Sequence, residues 1–257
     1  MKSTETPVSE NAGCLRCAES SQSVNFKLAF QPIVSVRDQR VVAHEALARG
    51  PMGEPAATVL DQLTSENRFQ FDQDCRTQAI ESAAALGMTS ALSINFIPNA
   101  IGHPCDCIER MLETAKSCGF EMGKIILEVT ETEQVDDVEA LLAIFHEYRK
   151  FGVKTAIDDF GAGYAGLNLL ARFQPDLVKI DIALVRGVDT NSVKQIIVES
   201  IVSMCARLGI AVLAEGVETA AERDYLRDLG VDLMQGFLFA PPAFQSLAVV
   251  EPQCFSA

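Results

Sequence analysis

The chain lacks any apolar run long enough to span a bilayer, which excludes a membrane-spanning helix. It also lacks an excess of positive charge. Its 21 Lys and Arg stand against 35 Asp and Glu, a formal charge of -14. That balance excludes a surface for polymeric nucleic acid. It opposes any anionic ligand unless local cations reverse the field. Met1–Ser23 has no apolar centre of the kind a secretion signal carries, so a cytoplasmic protein with reduced thiols is expected. Of the eight Cys, Cys14 and Cys17 form a CxxC, and no second CxxC follows. With His103, Cys105 and Cys107 they make a ligand-like inventory that is weak as a zinc or redox signature. Residues 1–24 are rich in Ser, Glu and Thr and are expected to be a flexible tail, leaving 25–257 as the folded domain.

What the chain does have is a rhythm of helices and buried strands. A helix end, a Gly and an apolar residue recur at Gly87, Gly119, Gly152, Gly209 and Gly230, each before a strand. Gly suits the left-handed stop of a helix. The strands are expected at 91–96, 124–130, 155–159, 211–216 and 231–235, with another at 176–182. Two earlier strands, 26–36 and 40–48, are separated only by Arg37, Asp38 and Gln39. So short a gap holds no crossover helix and predicts an antiparallel hairpin. Val138, Leu141, Leu142 and Phe145 lie at helical spacing, as do Val193, Ile196, Ile197, Ile201, Met204 and Leu208. Thr219 and Glu222 form a capping box. Eight strands in a chain of this length predict an α/β fold. It is a TIM-like (β/α)8 barrel with the first strand antiparallel to the rest.

The organising stretch is Lys154–Tyr164, a short apolar strand ending in Asp158 and Asp159 before a Gly-containing loop. Adjacent strand residues face opposite ways, so the two acids can hold two partners or bridge two ions. Alone, the same residues also suit a strand-ending turn. The other strands argue otherwise. Nearly every one ends in a polar residue: Glu45, Asn95, Glu128, Lys179, Glu215 and Gln235 join the Asp pair. Strand ends of a barrel converge on one mouth, where active sites sit. Five carboxylates there require cations, and oxygen donors without His or Cys select Mg²⁺ or Mn²⁺. Five acids suit two ions better than one, the arrangement used for cleaving phosphodiesters. Lys179, the one cation in the ring, suits holding an attacking hydroxide or, more plainly, neutralising an acid.

In order and spacing these blocks resemble the EAL-domain cyclic-di-GMP phosphodiesterases, from about Phe26 to Pro242. The matching blocks are Phe30–Ile33, Glu45–Arg49, Ser93–Asn95, Leu127–Glu131, Asp158–Gly161, Lys179–Asp181, Ala214–Glu218 and Gln235–Gly236. The resemblance implies that Glu45, Asn95, Glu128 and Asp158 hold one metal, and that Asp158, Asp159 and Glu215 serve a second. It implies a catalytic role for Lys179, and for Glu215 a role as metal ligand or general base. Gln31, Leu47, Arg49 and Gln235 would meet substrate or its water. Glu131 would brace the loop after Asp159 and couple it to a homodimer contact. The implied reaction is hydrolysis of cyclic-di-GMP to linear pGpG. Gly50-Pro51 departs from the family's more usual aromatic after Arg49, and 50–76 looks most like EAL domains joined to light-sensing modules. No sensor or cyclase block is legible. The alternatives are a non-catalytic cyclic-di-GMP receptor and a protein-interaction module on the same fold. Such receptors typically lose the metal set that this chain keeps.

Overall fold

The structure is a computed structural model and describes residues 23–98, 104–131, 137–163 and 166–256. The expectations for the tail, for Cys14, Cys17 and His103, and for Tyr164 fall outside these residues, as do the side chains of Cys105 and Cys107.

Eight strands close a barrel in the order β2-β3-β4-β5-β6-β7-β8-β1, with β1 returning to β2. They are β1 Lys27–Ser35, β2 Arg40–Arg49, β3 Ala91–Asn95, β4 Ile125–Thr130, β5 Lys154–Phe160, β6 Leu177–Ile180, β7 Ala211–Ala214 and β8 Leu233–Met234. β1 runs antiparallel to both neighbours, and β2 to β8 pair in parallel. The predicted barrel and its one reversed strand are therefore present. A ninth strand, β9 Ala243–Phe244, pairs with β1 outside the expected set.

Helices α1 Ala56–Leu60, α2 Arg68–Ala85, α3 Pro104–Cys118, α4 Val138–Arg149, α5 Gly166–Arg172, α6 Ile182–Val185, α7 Ser192–Leu208 and α8 Ala220–Asp228 cover the outside. None is long and apolar enough to cross a membrane. The capping box of α8 forms as expected, with Thr219 and Glu222 serving each other's backbone. α7 starts where Asn191 accepts from Val193 N and Lys194 N, and stops at Gly209 with φ 71°. Its face differs from expectation. Val198, Ile201 and Cys205 turn inward, whereas Val193, Ile196, Ile197 and Leu208 are exposed. Helical spacing alone does not say which of two overlapping apolar stripes meets the sheet.

The barrel interior is layered. Ile33, Ala43, Ile126, Ala156, Leu177 and Leu213 pack as an apolar floor, with Ala91 and Leu233 against them. Side chains alternate along a strand, so the next inward residue lies two positions on. From that floor the rule gives Gln31 on the reversed strand, then Glu45, Ser93, Glu128, Asp158, Lys179, Glu215 and Gln235. One polar residue per strand thus rests on one apolar residue per strand. The shortness of β6, β7 and β8 leaves Asp181, Glu215 and Gln235 just beyond their ends.

Candidate active site

Lys179 sits at the centre of the polar layer and is fully buried. Its Nζ lies 2.8 Å from Glu215, 2.9 Å from Asp158, 3.0 Å from Glu128 and 3.5 Å from Glu45. Burial alone would lower its pKa, but these four carboxylates override it and hold the ammonium well above its usual range. One cation does not balance the ring. Burial pushes Glu128 up to about 8 against the pull of Lys179, and Glu45 and Asp158 add to the rise. Burial likewise holds Glu215 well above its ordinary value. Asp159 rises to about 6 through burial and the charges of Asp158 and Asp181.

Two overlapping triads have the form of metal sites. Oxygens of Glu45, Glu128 and Asp158 lie within 4.8 Å of one another, and so do those of Asp158, Asp159 and Glu215. Asp158 belongs to both. All donors are carboxylate oxygens, which fits a hard divalent ion. The raised acids say the same thing from the other side, because buried carboxylates in this number favour protons or metal ions.

Strict alternation would send Asp158 and Asp159 to opposite faces. The structure corrects this expectation. The β5–β6 register runs Ile157 opposite Val178, then Phe160 opposite Ile180, so β5 holds one extra residue. Asp159 takes a left-handed backbone, φ 54°, and its N–H donates to Asp158 at 2.9 Å. A bulge of this kind re-aims a side chain, and Asp tolerates the left-handed region better than most residues. Both carboxylates therefore serve one mouth.

The remaining expected residues divide. Asn95 donates to Glu45 at 3.3 Å, one step above the layer that Ser93 occupies. Gln235 donates to Glu45 at 2.8 Å and to Gln31 at 3.1 Å, and Gln31 donates to the Ala240 carbonyl at 3.3 Å. Gln235 Oε1 is buried without a hydrogen-bond partner among the described residues, an acceptor left for a bound molecule. Leu47 lines the pocket beside the ring, but Arg49 does not. Its guanidinium turns to the Ala48 carbonyl at 2.7 Å. Glu131 N donates to the Asp158 carbonyl at 2.9 Å, and its carboxylate accepts from Gly161 N at 2.6 Å and Gly166 N at 2.7 Å. It thereby ties both ends of the loop after β5. At Gly166 a Cβ would lie only 2.7 Å from that carboxyl carbon.

Sequence reasoning assigned no role to Ser93, whose hydroxyl donates to Glu128. Its place two residues before Asn95 was the available signal. It also missed the pocket's outer wall. A cavity of about 360 Å³ opens beside Glu45 and Glu215 and is walled by Ile182, Arg186, Glu218 and Phe237. Arg186 and Glu218 are ion-paired there, and Phe237 is 64% exposed. Gly216 admits Ile182 to this wall, because a Cβ would stand 2.2 Å from it.

The family model for the EAL domain matches residues 16–242. The chain belongs to the EAL-domain family. Among curated relatives it is 33% identical over 221 residues to the blue light- and temperature-regulated antirepressor BluF of Escherichia coli K12, covering 86% of this chain and 55% of that protein. It is 38% identical over 224 residues to the probable cyclic di-GMP phosphodiesterase PdeD of the same organism, covering 84% and 41%. The EAL chain thus spans about half the length of these curated relatives, or less. A standalone versatile EAL protein from Vibrio cholerae O395, in its c-di-GMP-bound form, superposes with TM-score 0.88 at 47% identity, covering 92% of this chain and all of that one. Klebsiella pneumoniae BlrP1, in a manganese and cyclic-diGMP complex, superposes with TM-score 0.81 at 37% identity, covering 88% and 58%.

Proposed function

We propose that this EAL domain hydrolyses cyclic di-GMP to linear pGpG with the help of two divalent ions, Mg²⁺ or Mn²⁺. The single observation that carries the reading is Asp158, shared by two carboxylate triads around one buried lysine. Glu45, Asn95, Glu128 and Asp158 would hold one ion, and Asp158, Asp159 and Glu215 the other. When bound, such a pair supplies an activated water and neutralises charge on the phosphate. The chain's own groups do the rest. Lys179 keeps its ammonium in the ring and offers positive charge where the attacking oxygen and the phosphate meet. Glu215, with its raised pKa, is a ligand that can also take a proton. Gln235 offers its free Oε1 to water or substrate, beside Gln31. Leu47 and the outer wall would cover the guanosine ends. Arg49 would have to turn from the Ala48 carbonyl to reach a phosphate. The complexes of the Vibrio and Klebsiella relatives support cyclic di-GMP as ligand.

The test is purified protein with Mg²⁺ or Mn²⁺ and cyclic di-GMP, with the products separated by chromatography. Calorimetry on variants tests the two-ion count. Glu45→Ala should lose one ion, and Asp158→Ala both. Equal stoichiometry in the two variants would sink the shared-ligand reading.

A second reading is that this chain is a ligand-responsive interaction module without turnover, and the one observation that favours it is the likeness to a relative named as an antirepressor. A chain that binds cyclic di-GMP with metal present and returns it intact would establish it. We also propose a homodimer through the helix and loop after β5. Leu167 on α5 is 65% exposed, an apolar side chain that such a contact would cover. A monomeric mass by light scattering, together with full activity, would count against it.

A further inference from the structure

α2 carries a fully buried charge pair that lies outside the acidic ring. Asp72 and Arg76 stand one turn apart with side chains 1% exposed, and Arg76 Nη2 lies 2.8 Å from Asp72 Oδ2. A buried pair of this kind is weak evidence for stability, because desolvation cancels much of its attraction. Its contacts tell more. Asp72 Oδ1 accepts the Ile97 N–H at 3.0 Å. The Arg76 guanidinium lies over the Phe96 ring, 5.0 Å from its centroid. Both contacts land on the two residues that follow Asn95. From the other side, Phe96 N donates to the Glu128 carbonyl at 2.8 Å. The exit of β3 is therefore gripped between β4 and α2. Among the described residues the Asn95 side chain has one hydrogen bond to orient it, the long 3.3 Å contact to Glu45. Its place at the mouth is set by the backbone just beyond it.

We propose that Asp72 and Arg76 are positioning residues for the metal site, acting through the β3 exit to hold Asn95 in line with Glu45 and Glu128. Asp72 fixes the height of the chain through the Ile97 amide. Arg76 fixes its tilt through its contact over the Phe96 ring. The inference rests on the reading of that ring as a metal site with Asn95 among its ligands. Groups that orient ligands in this way typically change metal affinity by about 10–100-fold when removed.

The test is Mn²⁺ titration by calorimetry on the full chain, with melting temperature measured in parallel. The double variant Asp72→Leu/Arg76→Met removes the pair without stranding a charge, so it should fold and melt within a few degrees of wild type. It should bind Mn²⁺ about tenfold more weakly. Asp72→Asn/Arg76→Met keeps a neutral acceptor for Ile97 N and should recover the part of that loss that Asp72 carries, but not the part carried by the Arg76 contact with Phe96. Asn95→Ala should also bind weakly, and adding the Leu/Met pair to it should cost nothing more. A folded Leu/Met variant with wild-type affinity overturns the inference. So does a loss that adds in full to that of Asn95→Ala, since the pair would then act elsewhere. If wild type itself takes up no Mn²⁺, the metal reading falls and this inference with it, a result separable from the first two. Should the Leu/Met variant fail to fold, Arg76→Lys carries the test. It keeps a cation for Asp72 and loses the guanidinium over Phe96, so reduced Mn²⁺ affinity at an unchanged melting temperature is expected, and unchanged affinity counts against the proposal.

Discussion

A test that separates binding from turnover is available at one residue, Lys179. Its ammonium lies against four carboxylates, with no neutral partner among the described residues. If it stabilises the transition state, Lys179→Ala should lose about 10²–10³ in rate. Affinity for cyclic di-GMP should change less, because the bound ions still meet the phosphates. Lys179→Arg should rescue poorly, because a planar fork does not place a point charge where the compact ammonium sits. Calorimetry paired with single-turnover kinetics checks this, and proportional losses of binding and turnover would make Lys179 a plain counter-ion. The ring's acids add a pH signature. Glu128 is raised from 4.5 to about 8 in the fold, so the folded state holds a proton that the unfolded chain releases across that window. The state that binds more protons is favoured at lower pH, so metal-free protein should lose stability as pH rises from about 4.5 to about 8. Lys179 stays charged throughout. Ions displace those protons, so stabilisation by Mn²⁺ should grow over the same window. Melting temperatures near pH 5 and near pH 8, with and without Mn²⁺, test both slopes. A flat metal-free curve would mean that the ring does not hold the proton.

Among the elements, the loop after β5 depends on one side chain from β4's end. Glu131 takes two backbone N–H groups beyond the Asp159 bulge, those of Gly161 and Gly166, and gives its own N–H to the Asp158 carbonyl just before it. Glu131→Ala strands both donors, at about 1–3 kcal/mol for each one left buried and unpaired. The fold should survive while Mn²⁺ affinity and turnover drop together, since Asp159 stands only two residues before the tethered Gly161. Gly166→Ala should mimic it in weaker form, by pushing the carboxylate away. Both are read by metal titration beside a melting curve, and normal metal affinity in Glu131→Ala would detach the loop from the site. These elements also show how far the chain was legible. The eight strands and the polar ends of the barrel were, because alternation and Gly-stopped helices are local patterns. The bulge was not, because Asp158 and Asp159 look alike until the β6 register is known. Nor was the inward face of α7, where Val198 and Cys205 displaced Val193 and Ile196 from the expected stripe. The Asp72–Arg76 pair was invisible for a different reason. An i, i+4 acid and base on a helix normally marks a solvated face, and here the packing of α2 against β3, β1 and α3 buries it.

Across the whole molecule, the charge of -14 opposes the ligand proposed for it. Cyclic di-GMP is a dianion, and two divalent ions would neutralise only four of those charges. The protein should therefore repel its substrate at long range and attract it only at the ring. The two effects differ in reach. At about 0.01 M salt the screening length is about 30 Å, so the ligand feels the whole molecule; at about 0.1 M it is about 10 Å, and the site dominates. Association in the presence of saturating Mg²⁺ should then speed up as salt rises through this range. That is the reverse of the slowing seen where a basic surface steers an anion in. Without metal, binding should be weak at every salt concentration, since Lys179 is already spent on four acids. Stopped-flow association with a fluorescent cyclic di-GMP analogue gives the slope directly. An association rate that falls steadily with added salt would show that the field at the mouth outweighs the rest of the surface, and that the acidity of this chain has no part in how it meets its ligand.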